Sequence, residues 1–374
     1  MPETGQKVKL SFTAIVNETK QIPKPTIQYK NDGWLSIGDN NKWFNYLYDL
    51  YTNSSQMSSI VKTMVDYITG DEIVNNTRLR NAVNRKGDTM GDIIEKLTFD
   101  YCIYGGFAFQ IVRDKVGQIA EINNIDFRIV RVNEDEDRVY LNNGWKYNIA
   151  KRGVQTRVYE RFNPIAKQPN SIFYYKGHLS YEPYPMPMYM GALTSLEIST
   201  QIANFHLRNI TNNFTPNAII NFNSGSNLPE DVMREAEEKI YDKFAGTDNA
   251  GNFLLSFNDD NEHSTTIERL QDDGYDKKYE TLKESVKSDI YSAFRINEVL
   301  VGLNKQTGFS KTEFSEAFTL YNKTVIKPLQ QDIVKALNSV FGENSIEIKP
   351  FTIDWAEDEQ DKDGAVGTNA EVVE

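Results

Sequence analysis

The chain has 374 residues, 39% of them hydrophobic and 25% charged. That is ordinary usage for folded protein and more material than one hydrophobic core usually needs, so two or three structural units are expected. A formal net charge of −12 argues against a protein that grips nucleic acid tightly, because such binding is driven largely by Lys and Arg displacing counterions from phosphates. No stretch approaches the roughly 18 apolar residues of a membrane span, and the start MPETGQKVKL lacks the apolar run of a secretory signal. A soluble protein made in the cytoplasm, with no membrane partner, is therefore expected. The single cysteine, Cys102, fits a reducing compartment and reads as a small apolar helix residue.

Residues 1–53 mix Pro23, Pro25, Gly33, Gly38 and the polar run Asp39 to Lys42, and read as an irregular N-terminal arm. Ser54 or Ser55 then caps a helix whose apolar set Met57, Ile60, Val61, Met64, Val65 and Ile68 follows the 3.6-residue period to Gly70. A second helix starts near Thr89, which forms a capping box with Asp92. Its stripe is Met90, Ile93, Ile94, Leu97 and Tyr101, and Gly105-Gly106 stops it. From Phe107 to about Tyr181 the pattern changes to short runs of Val, Ile, Phe and Tyr. These are punctuated at Lys115 to Gly117, Glu134 to Asp137 and Asn142 to Gly144, and predict antiparallel strands joined by hairpin turns. Pro183, Pro185 and Pro187 make Tyr184 to Gly191 an extended connector.

After Gly191 a helix runs to about Asn213 with two apolar faces, one at Leu193, Leu196, Ala203, Leu207 and Ile210, the other at Ile198, Ile202 and Phe205. Contacts on two sides are implied. Residues 214–273 predict a small α/β insertion. It has a strand at Ala218 to Phe222, a helix opened by Pro229, and strands at Phe253 to Phe257 and Thr265 to Leu270. Tyr275, Tyr279, Leu282, Val286, Ile290 and Ala293 then form an amphipathic stripe. After the loop Gly302 to Ser310, a second helical spacing runs through Phe314, Phe318, Tyr321, Val325, Leu329, Ile333, Leu337 and Phe341. Pro328 interrupts it, so a kink is expected near Thr324 to Lys327. Ile346 to Ile353 reads as a strand, and Glu357 to Glu374 as an acidic tail whose composition predicts disorder.

Enzyme chemistry finds little purchase. Gly302 to Lys311 echoes a phosphate loop with its residues in the wrong order. His178, His206 and His263 are far apart and none sits at metal-ligand spacing with Cys or carboxylates, so no cofactor or metal is expected. The acidic pairs Asp259-Asp260, Asp272-Asp273 and Asp358-Glu359 flank turns or sit in the tail, which suits solvation. An acid-residue hydrolase built around Phe107 to Tyr181 is the alternative of another class, and a structural scaffold or adaptor the alternative within binding proteins. Arg295 reads either as a buried, paired charge or as a cation complementing a helix C-terminus.

Three stretches in order resemble the portal family of tailed bacteriophages. They are Pro187 to Leu193 with its long helix and the Asn212 to Ile220 turn and strand; Ala293 to Gly302; and Phe314 to Asn338 with Pro328. Ala293 to Gly302 is similar to the family's Ala-Phe-x-Val-Pro-x-x-Leu-x-Gly segment, with Asn297 in place of the proline. The resemblance implies an α+β fold with long stem helices at 191–213 and 274–301 and an antiparallel β-rich wing at 54–190. It further implies a small α/β clip at 214–273, a tunnel loop at 302–310, a kinked wing helix at 311–342, and a C-terminal strand and acidic tail at 343–374 with little room for a crown. It also implies a non-enzymatic ring of twelve copies at one capsid vertex of the virion, assembled in the host cytoplasm. Double-stranded DNA would pass non-specifically, and the terminase large subunit, the major capsid or scaffold protein and a head-tail adaptor would be partners. Asn304, Lys305, Gln306, Thr307, Gly308, Phe309 and Lys311 would line the DNA channel.

Overall fold

In a computed structural model the described residues are 22–29, 33–147, 155–177, 180–181, 183–211, 218–223, 253–258, 275–302 and 310–352. Strands β1 (Ile27–Tyr29) and β2 (Leu35–Ile37) pair antiparallel and lead into helix α1 (Trp43–Asn53). The irregular arm expected over 1–53 is thus corrected at its C-terminal end. Trp43, Phe44, Leu47 and Leu50 step at helical spacing and are buried, so core packing outweighs the polar run before them.

Helix α2 (Ser55–Thr69) begins where the sequence places it. Ser54 Oγ accepts the Met57 N–H at 3.3 Å, and the six predicted apolar positions are all buried. Strand β3 (Glu72–Asn75) follows, and then α3 (Met90–Tyr104), closed at its N-terminus by the reciprocal Thr89–Asp92 capping box and at its C-terminus by Gly105 with φ 76°. Next come β4 (Gly106–Arg113), β5 (Ile119–Ile125), β6 (Val130–Val132), β7 (Arg138–Leu141), the short helix α4 (Asn143–Tyr147), β8 (Arg157–Arg161) and β9 (Asn170–Lys176). These six strands form one sheet in the order β5-β4-β9-β8-β7-β6.

Two expectations are corrected here. Asn142 to Gly144 does not turn a hairpin; Asn142 Oδ1 accepts the Gly144 N–H at 2.7 Å and starts α4, as short Asn side chains do at helix starts. Nor is the sheet wholly antiparallel. β8 and β9 pair in parallel over Glu160↔Ser171 and Arg161↔Ile172, because the chain loops back between them through Pro164 and Pro169.

The connector holds a two-residue bridge between β10 (Ser180–Tyr181) and β11 (Tyr184–Pro185), then a 3-10 turn, Met190–Ala192, that opens α5 (Leu193–Thr211). In the 214–273 segment, β12 (Ala218–Asn223) and β13 (Phe253–Asn258) pair in parallel. The helix expected from Pro229 and the strand at Thr265 to Leu270 lie outside the described residues. Helix α6 (Tyr275–Ala293) packs along α5. Then α7 (Lys311–Tyr321), a π-helical turn (Asn322–Ile326) and α8 (Lys327–Phe341) run in series. The closing strand β14 is shorter than expected, Ile346–Lys349, and pairs antiparallel with β3. The tail from Glu357 lies outside the described residues.

One continuous core joins α1, α2, α3, the six-stranded sheet, the first turns of α5, the end of α6 and both helices flanking the π turn. Its one buried cation is Arg131 among the described residues. The guanidinium donates to Asn41 Oδ1 at 2.6 Å, Asn41 O at 2.9 Å and Val130 O at 2.6 Å, and lies over the Phe44 and Trp145 rings at 5.1 and 5.0 Å. Burial brings it down to about 10, so it stays charged at neutral pH, compensated by oxygens and ring faces rather than by a carboxylate.

The tightest packing is backbone on backbone. A Cβ at Gly105 would overlap the carbonyl of Met186 and crowd Pro187, and one at Gly106 would meet Tyr175 O and the Pro185 ring. Gly87 has a similar φ of 85° but nothing within 4 Å of its Cβ position. Gly87→Ala should therefore cost about 1 kcal/mol, the backbone term alone, and Gly105→Ala roughly 3 kcal/mol or more. Urea unfolding of the two variants measures the difference, and equal losses would exclude the close crossing as a constraint.

Candidate functional site

Of the residues singled out from the sequence, Asn304, Lys305, Gln306, Thr307, Gly308 and Phe309 lie outside the described residues. Lys311 is the exposed first residue of α7, and Pro328 sits in the first turn of α8. What the structure does describe is the base of the loop, its two ends and their anchors.

The incoming end is the finish of α6. Phe294 is buried and stacks on Tyr189 with ring centroids 4.9 Å apart, while the Tyr189 hydroxyl donates to Ile103 O at 2.7 Å. The helix closes with Ile296 N–H on Tyr291 O at 3.1 Å and Arg295 N–H on Ser292 O at 3.0 Å, the paired pattern that ends many helices. Arg295 occupies the left-handed position, φ 55°, normally given to glycine, and its side chain is exposed. The buried-charge reading of Arg295 is thereby corrected: its side chain is exposed and lines a cavity together with Tyr101, Cys102 and Val325. Asn297 Oδ1 then accepts the Val299 N–H at 3.0 Å and starts a 3-10 turn, Glu298–Val301, which ends at Gly302 with φ 79°.

That turn is held from three sides. The Tyr67 hydroxyl of α2 donates to Leu300 O at 3.0 Å; burial pushes this phenol up to about 12, so it remains a neutral donor. Lys287 Nζ meets Glu298 Oε2 at 2.6 Å, and Val299 and Leu300 are buried. At the outgoing end Ser310 Oγ accepts the Glu313 N–H at 3.4 Å, and Phe314 is buried. The Phe318 ring lies edge-on to Tyr67 at 5.1 Å, and Phe351 packs on both, at 4.9 Å from Tyr67 and 5.9 Å from Phe318. Tyr321 OH closes the circle on Phe294 O at 3.5 Å. Both ends of the loop therefore rest on one aromatic cluster built from α2, α6, α7 and the residues after β14.

The sequence stripes showed Phe314, Phe318 and Tyr321 as core positions, while Phe294 lay just past the end of the α6 stripe. They did not reveal Tyr67 or Tyr189 as anchors, because each acts through a hydroxyl whose partner is a backbone carbonyl far along the chain. Below the loop, the π turn is defined by the Lys327 N–H reaching Asn322 O, one residue further back than in an α-helix.

The pair α5 and α6 leaves the core gradually. Leu193, Leu196, Val286 and Ile290 are buried, and Ser195 Oγ donates to Asp289 Oδ2 at 3.1 Å. Further out, Ala203 is exposed and Leu207 and Leu282 are 62% and 40% exposed, so among the described residues the burial of the apolar stripes falls off along the pair. Leu320 of α7 is 67% exposed. His206 stands beside Tyr279, ring centroids 6.2 Å apart, while His178 and His263 lie outside the described residues, as do the three acidic pairs. Among the described residues no group of three or more His, Cys, Asp or Glu is placed to hold a metal, and no helix is long and apolar enough to cross a membrane.

Residues 54–354 match the family described as phage portal protein. Among solved structures the fold is similar to a chain in the virion of a native gene transfer agent particle, at TM-score 0.53 and 16% identity, covering 81% of this chain and 83% of that one. It is also similar to chains in the neck of the native particle computed with C12 symmetry and of the empty particle computed with C6 symmetry. Both have TM-score 0.52 and 16% identity, with 81% of this chain covered and 83% and 84% of theirs. No curated protein matches.

Asn297 stands where the similar segment carries proline, and its φ of −81° lies at the edge of proline's range. Asn297→Pro should lose the cap on Val299, worth about 1 kcal/mol, and regain up to about 1 kcal/mol from a stiffer unfolded chain. Its urea midpoint should stay close to wild type, whereas Asn297→Ala should lose the cap alone. A loss of several kcal/mol in Asn297→Pro would contradict the 3-10 start drawn here.

Proposed function

This chain belongs to the phage portal protein family, and from that premise we propose that it assembles into a closed ring at one vertex of a viral capsid, through which double-stranded DNA is packaged and released. The family is structural rather than enzymatic, so the hydrolase alternative falls away. On this reading 54–190 and 311–342 form the wing, 191–213 and 274–301 the stem, 214–273 the clip, and 302–310 the tunnel loop.

The observation that carries the reading is the way the long helices leave the core. An amphipathic helix keeps its apolar stripe only where something covers it. Leu282 on α6, 40% exposed, continues a stripe whose inner half is buried, and Leu320 on α7, 67% exposed, is a large apolar side chain outside the buried stripe of its helix. A second copy docked head to tail covers such faces, and a rotation that closes produces a ring. Twelve is the copy number that the resemblance implies, and the necks of similar fold were computed with C12 and C6 symmetry.

Electrostatics suit a conduit rather than a clamp. A ring multiplies the net charge of −12 by its copy number, and a polyanion must slide through it. At physiological salt such fields fade over about 8 Å, so only residues at the lining set the friction. Lys305 and Lys311 border the loop, with Gln306, Thr307 and Phe309 as a neutral collar. The anchored base described above fixes both ends of that collar, so load along the channel passes into the wing core. A terminase large subunit supplying ATP hydrolysis, and later a head-tail adaptor, would meet the clip, and the capsid or scaffold protein the wing.

Native mass spectrometry and negative-stain microscopy of the purified chain should show rings with a central pore. Leu282→Glu with Leu320→Glu should leave far-UV circular dichroism unchanged and abolish the rings; rings that persist in this variant would sink the proposed subunit contact. Deleting Asn304 to Gly308 should leave rings intact and cut DNA packaging sharply, and unchanged packaging would show the loop assignment to be wrong.

A further inference from the structure

A second site lies in the wing, away from the loop. On α3 the buried positions Ile93, Leu97 and Tyr104 step by four and seven, and the residue that falls between Leu97 and Tyr104 on this stripe is Asp100. A carboxyl group is a costly choice there, and Asp100 is only 5% exposed. One of its oxygens accepts the Phe127 backbone N–H, but Oδ2 has no partner, and neither does Asn124 Oδ1 on the adjacent strand β5. Both residues line the same cavity of about 340 Å³, whose walls include the rings of Tyr48, Phe99 and Tyr104.

The other charged groups around it are already committed. Asp126 receives Arg128 Nε and Nη2 at 2.9 and 2.8 Å and Lys146 Nζ at 2.7 Å. Arg128 also lies over the Tyr48 ring at 3.8 Å, and Lys96 is bound to Asp88 at 2.8 Å. The cavity thus holds two buried acceptors without a hydrogen-bond partner, between aromatic walls. Two acceptors unserved in one place call for a ligand with several N–H or O–H donors.

We propose that this cavity binds a primary ammonium group, carried by a free diamine or polyamine or by a lysine side chain. An ammonium has three donors on one atom, enough for Asp100 Oδ2 and Asn124 Oδ1 with its positive charge against the ring faces. Calcium and magnesium need six or more oxygens, and those of Asp126 are taken; zinc needs three or more His, Cys, Asp or Glu together, and no such group is found among the described residues. A guanidinium needs a bidentate carboxylate, and Asp100 offers one oxygen. An anion would face Glu95, Asp100 and Asp126.

The site is linked to protons. Burial holds the Asp100 carboxyl well above the usual carboxylate range, with Asp126 adding to the effect and the Phe127 N–H, Arg128 and Lys146 opposing it. The remaining titratable groups facing it are Glu95, Lys96 and Tyr104 from α3 and Tyr48 from α1. An ammonium beside Asp100 favours its charged form, so binding is coupled to release of the proton that burial helps the carboxyl to hold. Affinity therefore falls on acidification, by up to about tenfold per pH unit.

Calorimetric titration of the full chain with 1,4-diaminobutane, with lysine blocked at both its amino and carboxyl ends, and with tetramethylammonium tests this. A primary amine should bind saturably and tetramethylammonium, equal in charge but without donors, at least tenfold more weakly. Asp100→Asn should lower amine affinity at least tenfold and flatten its pH dependence while leaving the urea midpoint near wild type or above it. Should that variant not fold, Asn124→Leu, which removes the second acceptor, should weaken binding in the same assay. Tighter binding of diaminobutane than of blocked lysine would assign the site to free amines, the reverse order to a protein lysine, and both orders sustain the ammonium site. Saturable binding by neither amine, equal binding of tetramethylammonium, or an unchanged Asp100→Asn affinity would overturn it. Ring formation plays no part in these measurements, so they stand apart from the proposed channel.

Discussion

The arrangement turns on a crossing where side chains have been dispensed with. At Gly105 and Gly106 the junction of α3 and β4 lies directly against the backbone of Met186 and Pro187, the Pro185 ring and the Tyr175 carbonyl of β9, and Gly177 closes on the Gly105 carbonyl. Backbone atoms in contact leave no rotamer to adjust, and protein interiors compress little. From this crossing the chain goes straight into the Met190–Ala192 turn and α5, and Tyr189, fixed by its hydroxyl on Ile103 O, stacks on the end of α6. The direction of the paired helices relative to the six-stranded sheet is therefore set by main-chain geometry more than by the side chains along them.

Around that crossing the interior is aromatic and sparingly polar. Phe44, Tyr104, Phe127, Tyr174 and Tyr184 meet edge to face or stacked within about 6 Å, and Arg131 is threaded between rings and carbonyls. Large rigid rings bury much area while surrendering few torsions. Their hydroxyls reach backbone oxygens on distant segments, as Tyr174 does to Pro183 O at 3.0 Å and Tyr67 to Leu300 O. The same chemistry that fills the core also staples the connector and the loop base to it.

Much of this was legible in the sequence. The starts of α2 and α3 carry their caps in single residues, Ser54 and the Thr89–Asp92 pair, and apolar periodicity gave α5 and α6 to within a few residues. What escaped depended on distant partners. Helix α1 was hidden behind Asp39 to Lys42, β3 acquires its meaning only from β14 at the other end of the chain, and the parallel β8–β9 pairing rests on a loop whose path no local signal dictates. The candidate site divides in the same way: Phe314 and Phe318 at the loop base show in a stripe, and the tyrosine hydroxyls that fasten it do not. Asp100 was not marked in the sequence, where the stripe of α3 was read from Leu97 to Tyr101, and its lack of a partner is a fact of three dimensions.

The π turn has a consequence for how the long wing helix is phased. From Tyr321 onward the apolar residues Val325, Leu329, Ile333, Leu337 and Phe341 recur every four positions, and each such step overshoots a 3.6-residue turn by about 40°. In an unbroken α-helix the stripe would wander round the cylinder, so that Phe314 and Leu337 looked in widely different directions. The wider turn at Asn322–Ile326 absorbs one residue without adding to the winding, and Phe314, Tyr321, Ile333 and Leu337 all end up buried in one core. The turn acts as a vernier between two rulers of slightly different pitch, and Pro328, coming just after it, marks where the second ruler begins.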